Sequence, residues 1–223
     1  MSSTAVSHIL ILTCLGFASS NFEVQAKDVQ RTLSCHSKST ELVGLKQAPL
    51  RARRIELHLL EVAFQGGSRQ FVDQPPHDEL GGLHWRYCGY DARSKVHLIE
   101  RSEGDLFSGV LLFQETGATL HAGHTVILAP VAQEFLAIEQ ENGMDGELWS
   151  VHDFGGNIKW KGYAGVIEKI NGTDMVMATF GRPHWNSKGE LIAHFACTAS
   201  KVNGNVTLLQ SLGNWNWKAI CQS

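Results

Sequence analysis

The 223-residue chain lacks most of the features that announce a function locally. No apolar run reaches 18 residues, so no segment reads as a membrane-spanning helix. Charged residues are only 18%, and 19 Lys+Arg nearly balance 22 Asp+Glu, for a net charge of -3. That balance leaves no basic footprint for nucleic acid or for an anionic membrane surface. No heptad or Gly-X-Y period runs, and 43% hydrophobic with 9% aromatic residues is too much for a disordered chain. The 5 cysteines form no CxxC or Cys/His zinc spacing. Nucleophile elbow, P-loop and dinucleotide glycine fingerprint are all absent from the sequence.

What is present points first to a compartment. Ile9–Phe17 is a nine-residue apolar stretch followed by small residues and Val24-Gln25-Ala26, the layout of a secretory signal peptide cut after Ala26, with Ser20 as an alternative cut. The expected organisation is a leader over 1–26, an irregular lead-in over 27–54 with room for a helical turn, and a single domain over 55–223. Removing the leader deletes Cys14 and leaves Cys35, Cys88, Cys197 and Cys221, an even set that suits two disulfides in an oxidising compartment. Asn171-Gly172-Thr173 and Asn205-Val206-Thr207 are glycan acceptor sequons, each at an expected turn, and would carry glycans in a eukaryotic host. Arg51-Ala52-Arg53-Arg54 matches a dibasic processing site, but cleavage there would strand an odd cysteine. The protein is therefore expected to be secreted, or periplasmic in a bacterium, with no membrane insertion once the leader is gone.

From Ile55 onward the signal is β. Ile55–Phe64, Leu83–Tyr90, Lys95–Arg101, Phe107–Gln114, Val126–Leu128, Phe135–Ile138, Glu147–His152, Ile158–Ile170, Asp174–Phe180, Glu190–Val202, Val206–Leu212 and Trp215–Cys221 read as short strands. Gly66–Gly82, with Pro75-Pro76 inside it, reads as a long surface loop, and Pro130 marks an edge or a bend. This spacing predicts an all-β, mostly antiparallel barrel or sandwich of about 8–10 strands ending in a meander.

Three Asn/Gly pairs suggest two-residue turns in the C-terminal third: Asn171-Gly172, Asn203-Gly204 and Gly213-Asn214. A turn at Asn203-Gly204 sets Cys197 opposite Gln210, and one at Gly213-Asn214 sets Gln210 opposite Trp217. One face then carries Phe195, Cys197, Ala199, Val206, Leu208, Leu212, Trp215, Trp217, Ala219 and Cys221, and is the expected core face. In that register Cys197 and Cys221 lie two strands apart, about 9.6 Å, and four residues apart along the strand, about 13 Å. A disulfide needs Cα atoms within about 7 Å, so the two should not be joined. Cys88–Cys197 with Cys35–Cys221 is the favoured alternative.

Candidate site residues follow from side-chain chemistry. Of 11 histidines, His121 and His124 are the closest pair, in a Gly-containing turn, with His152-Asp153 or His184 as a further contribution to a metal or acid/base site. Glu139, Glu141, Asp145 and Glu147 could supply two carboxyls for glycoside hydrolysis, with Trp149 against a sugar; a calcium loop or a solvated acidic loop are the other uses. Trp160, Tyr163 and Trp185 stand among polar residues near turns and are candidates for stacking on a ligand. No catalytic constellation is complete, no cofactor is implied, and aromatics are plentiful. The expectation is an exported binding protein for a small apolar or carbohydrate ligand. An extracellular hydrolase or isomerase and a secreted protein-interaction module are the alternatives.

Overall fold

The computed structural model describes residues 30–35, 38–48, 50–78, 81–131, 133–141, 146–211, 214–217 and 221. The expected leader, Asp145 and Ala219 lie outside them, as do the side chains of Leu212, Trp215 and Trp217. The chain opens with β1 (Arg31–Ser34) and α1 (Lys38–Gln47), then a three-stranded meander of β2 (Ala52–Glu56), β3 (Leu59–Phe64) and β4 (Gly67–Val72). A four-stranded sheet follows: β5 (Leu83–Asp91), β6 (Val96–Glu103), β7 (Leu106–Phe113) and β8 (Thr119–Ala122). The strands β9 (Thr125–Leu128), β10 (Glu134–Glu139), β11 (Leu148–Asp153) and β12 (Ile158–Tyr163) join β1 in a five-stranded sheet of order β1-β9-β10-β11-β12. Last comes a second five-stranded sheet of β13 (Gly165–Ile170), β14 (Thr173–Trp185), β15 (Leu191–Cys197), β16 (Asn203–Ser211) and β17 (Asn214–Trp217). Every pairing is antiparallel, and the sheets are open, so the protein is a sandwich and not a closed barrel.

The sheets stack with a hydrophobic core between each neighbouring pair. Leu60, Val62 and Phe71 of the meander pack with Ala48 on one face of the β5–β8 sheet, against Tyr87, Ile99 and Leu112. The other face of that sheet, with Val96, Leu98 and Leu111, meets Val126, Leu128, Phe135 and Ala137 of the β9–β12 sheet. Ile127, Leu136, Ile138, Trp149 and Val151 project from the far side of β9–β11 onto Phe180, Leu191, Ala193, Phe195 and Val206 of the C-terminal sheet. The β9–β12 sheet is thus a central layer with both faces covered, and its inner strands read as nearly unbroken apolar runs for that reason. Of the two readings of Pro130, the bend holds and the edge does not: Pro130 sits in the bend between β9 and β10, and both strands are internal.

Two sheets share a corner at Gly123, between β8 and β9. A Cβ built there would stand 1.9 Å from the carbonyl oxygen of Ile138 and 2.4 Å from its backbone N and C. Phe107 and Gln140 exchange backbone hydrogen bonds at 2.9 Å beside it, tying β7 to the end of β10.

The lead-in is not irregular. β1 pairs with β9, and Arg31 is held by Asp91, Ser94 and the carbonyl of Ala129. From α1, Glu41 accepts the Tyr87 amide and pairs with Arg54. This helix leaves Leu42 and Val43 exposed, so it shows little apolar face, and tertiary anchors hold it. Ile55–Phe64 is a hairpin, turning at Leu57-His58, and the supposed Gly66–Gly82 loop contains β4. Ile158–Ile170 is two strands that break at Ala164, and β8 carried no sequence signal.

The C-terminal register also differs. Asn171-Gly172 is a two-residue turn, with φ of 51° and 83° and Ile170 opposite Thr173. Asn203-Gly204, however, lies inside β16, opposite Ala196 and Phe195, and the β15–β16 loop is 198–202 instead. Asn205 consequently sits on an exposed strand position opposite His194, not at a turn. β17 pairs through Ser211 opposite Asn214, one residue earlier than expected, and ends at Trp217. With both shifts, and with Cys221 beyond the last strand, the two final cysteines come together. The disulfides are Cys35–Cys88 and Cys197–Cys221, with Cα separations of 4.8 and 5.9 Å. The expected ban on the second bond, and the favoured Cys88–Cys197 and Cys35–Cys221 pairing, are overturned. Two disulfides are the form cysteines take in an oxidising compartment.

Candidate functional site: a cleft between the central and C-terminal sheets

Ala164 passes the chain from the central sheet to the C-terminal one. Its N–H donates to the Glu147 carbonyl and its own carbonyl accepts the Phe180 N–H, both at 2.9 Å. Beside this crossing the two sheets part, leaving a cleft of about 520 Å³. Its floor is the central sheet, with Thr32 of β1, Thr125 and Ile127 of β9 and Ile138 of β10; its roof is Thr179–Pro183 of β14. Gly146, Glu147, Ala164 and Thr179 also line a second cavity of about 400 Å³, which continues the groove past Tyr163, Ile167 and Val176.

The sequence builds this groove from three local devices. Alternation along β1 and β9 turns Thr32, Thr125 and Ile127 to the same side. Ser34 meets Thr125 hydroxyl to hydroxyl at 2.7 Å, so Thr32 and Thr179 offer the freer hydroxyls. Glu147 accepts the Trp149 indole N–H at 2.9 Å, which fixes its carboxylate at the groove's middle. Between Gly181 and His184 the register of β14 with β15 shifts, a bulge that re-aims side chains. Arg182 lies in that bulge with φ 51° immediately before Pro183, a conformation costing roughly 1–3 kcal/mol for a non-glycine residue. The His184 ring holds the Arg182 carbonyl at 3.2 Å, and Gln30 donates to the Pro183 carbonyl at 3.0 Å. Among the described residues no carboxylate pairs with the exposed Arg182 side chain. The groove therefore carries a free cation at one end, a held carboxylate in its middle, and exposed apolar side chains at the other end.

A polar cluster occupies the opposite face of the central sheet. His121 Nε2 stands 2.6 Å from Glu139 Oε1, and this contact holds the imidazole above its usual range. His152, 3% exposed, meets the Ser150 hydroxyl at 2.7 Å and stacks on Phe135. Burial, with the nearby His121, pushes the His152 ring below its usual range. Two imidazoles shifted in opposite directions form the pattern of an acid and a base. Yet Ser150 and Glu139 are as buried as His152, Nδ1 of His152 is a buried atom without a partner, and neither cavity is lined by this cluster. It joins the exposed His121 of β8 to buried groups of β10 and β11.

The expected site residues divide accordingly. His121 and His152 come together, whereas His124 sets its ring edge against Phe107. Asp153 accepts two hydrogen bonds from Asn157 in the β11–β12 turn, which lower its carboxyl. No group of three potential metal ligands forms among the described residues. Glu139 pairs across from Leu148, so Glu147 projects to the other face of the sheet, and the two carboxyls cannot flank one bond. Trp149 is fully buried, and so unavailable to a sugar. Trp185 is 6% exposed with its indole N–H on the Ile127 carbonyl at 2.9 Å, so it is not an open stacking contact, whereas Trp160 is half-buried and packs part of its ring against the same core. Tyr163, 45% exposed, does line the groove. Sequence reasoning missed Arg182, Thr32 and Thr179. The Arg-Pro dipeptide was the available signal, since its bulge is invisible without strand pairing. Comparison with protein-family models, with curated proteins and with solved structures finds no match to this chain.

Proposed function

We propose that the protein is an exported binding module that holds a carbohydrate in the groove between its central and C-terminal sheets. One observation carries the reading: two cavities of about 520 and 400 Å³ share four lining residues and so form one open trough. Ligand pockets span about 300–1,000 Å³, so the combined trough suits a short oligosaccharide better than one small molecule. Threonine hydroxyls and Glu147 can meet sugar hydroxyls, while Tyr163 can meet the apolar face of a ring. The lining also carries Ile127, Ile138, Phe180, Ile167 and Val176, so the ligand must present apolar as well as polar surface. Export through a cleaved leader at 1–26 agrees with the two disulfides and with the exposure of Asn171 and Asn205, which become glycan sites in a eukaryotic host. The hydrolase alternative rests on the His121–Glu139 and Ser150–His152 cluster, in which His121 is exposed but Glu139, Ser150 and His152 are buried and line neither cavity. A glycan array tests the proposal. Saturable binding to an oligosaccharide, weakened about tenfold or more by Tyr163→Ala and by Glu147→Gln in folded protein, is the expected result. Failure of every saccharide to bind refutes it.

A further inference from the structure

We infer that the Arg182 end of the groove recognises the carboxylate of an acidic sugar unit at the terminus of the ligand. The inference rests on the carbohydrate reading above and adds a ligand class to it. Among the described residues Arg182 is the only cation lining either cavity, and it has no carboxylate partner there. Its backbone is held in the left-handed region, at φ 51°, ahead of a proline that favours extended geometry in the residue before it. A chain that needed only a bulge would be served by glycine at this position. The arginine keeps the strain and places a guanidinium at the lip of the cleft. Guanidinium and carboxylate form two parallel N–H···O bonds in one plane, a match that neutral hydroxyls do not reproduce. Glu147 completes the argument from the other direction. Its carboxylate, held in place by Trp149, repels an anion at the middle of the groove. The trough thus favours one acidic unit at its Arg182 end, followed by neutral units toward Tyr163, and disfavours a ligand charged at every unit.

The test compares three trisaccharides of one linkage type: a neutral one, one with a terminal uronate at its non-reducing end, and one with a uronate at every position. Calorimetry at low ionic strength should give the terminal uronate an affinity ten- to hundredfold above the neutral compound, as a charged hydrogen-bonded contact provides. The fully acidic compound should bind more weakly than the singly acidic one, and added salt should shrink the preference. Arg182→Gln should abolish the preference, so that the variant binds the terminal-uronate and neutral compounds alike, and Arg182→Lys should retain part of it. Arg182→Gly, which relieves the backbone strain, serves as a second variant with the same expected loss and a secure fold. Equal binding of the neutral and terminal-uronate compounds by the native protein overturns this inference and leaves the carbohydrate reading standing. A preference that survives Arg182→Gln and Arg182→Gly overturns it too, because the anion is then read elsewhere. Absence of binding by all three, and by every other saccharide, removes both readings.

Discussion

Replacing Gly123 by alanine probes the corner on which the layered stack depends. The added Cβ would lie 1.9 Å from the Ile138 oxygen and 2.4 Å from two further backbone atoms of β10. These are not the ends of flexible side chains, so relief requires the β8–β9 corner to lift from β10. That movement pulls Val126 and Ala137, both fully buried, away from their core. Overpacking usually costs about 1–3 kcal/mol, and contact with rigid backbone belongs at or above the top of that range. In a chain of this size such a loss lowers the thermal midpoint by roughly 6–12 °C. Gly181→Ala is the matched control: nothing lies within 4 Å of a Cβ there, and its φ is outside the left-handed region. Thermal and urea denaturation of the two variants side by side should show Gly123→Ala markedly destabilised and Gly181→Ala within about 0.5 kcal/mol of the native protein. Equal midpoints for the two variants would refute the corner and the layer order built on it.

Three other outcomes follow from separate parts of the molecule. Non-reducing peptide mapping should recover Cys35 linked to Cys88 and Cys197 linked to Cys221; a Cys88–Cys197 peptide would contradict the C-terminal register. His97 is buried and neutral, with Tyr87 donating to Nδ1 at 2.9 Å and Nε2 donating to Gln114 at 2.6 Å, and burial pushes it down to about 4. The unfolded chain takes up this proton below about 6.5 while the folded chain refuses it until about 4, so stability falls as pH drops through that window, by about 3 kcal/mol in all. Urea midpoints of His97→Gln should therefore lose less between pH 7 and pH 4.5 than those of the native protein, and an unchanged acid slope would exclude His97 as a source. Leu136→Ala, in the core between the central and C-terminal sheets, should cost about 2–5 kcal/mol by denaturant titration, whereas a surface-like cost below about 0.5 kcal/mol would mean that this face is uncovered.

The β class and the inward faces of β15 and β16 were legible because both rest on period-two alternation. The register was not. Pairing Ala196 with Asn203 instead of turning at Asn203-Gly204 slides β15 against β16 by an even number of residues, and an even slide keeps every side chain on its face. Phe195, Cys197, Val206 and Leu208 are accordingly buried as expected, although their neighbours differ. Ala199 is exposed because the loop begins before it. Cysteine pairing depends on position along the strand, so the same slide that spared the core overturned the disulfides. The Leu57-His58 turn escaped notice for a different reason: it contains no Gly, Asn or Pro, and Leu57 is 81% exposed there. The doubly covered central sheet did leave a signal in the apolar runs of β9 and β10, which their neighbours Pro130 and Gly123 obscured. The groove was the least readable feature. Thr32, Glu147 and the β14 pair Thr179 and Arg182 come from three separate segments, brought together only by sheet packing and by a bulge.

The measurement that bears most directly on the ligand groove is an amide chemical-shift titration of the ¹⁵N-labelled protein with the terminal-uronate trisaccharide. Saturable shifts should concentrate at Thr32, Glu147, Ala164 and Thr179–Arg182, the residues around the parting of the two sheets. Shifts centred instead on His121, Glu139 and Ser150, across the central sheet, or no saturable shift at all, would contradict the assignment of the groove as the binding site.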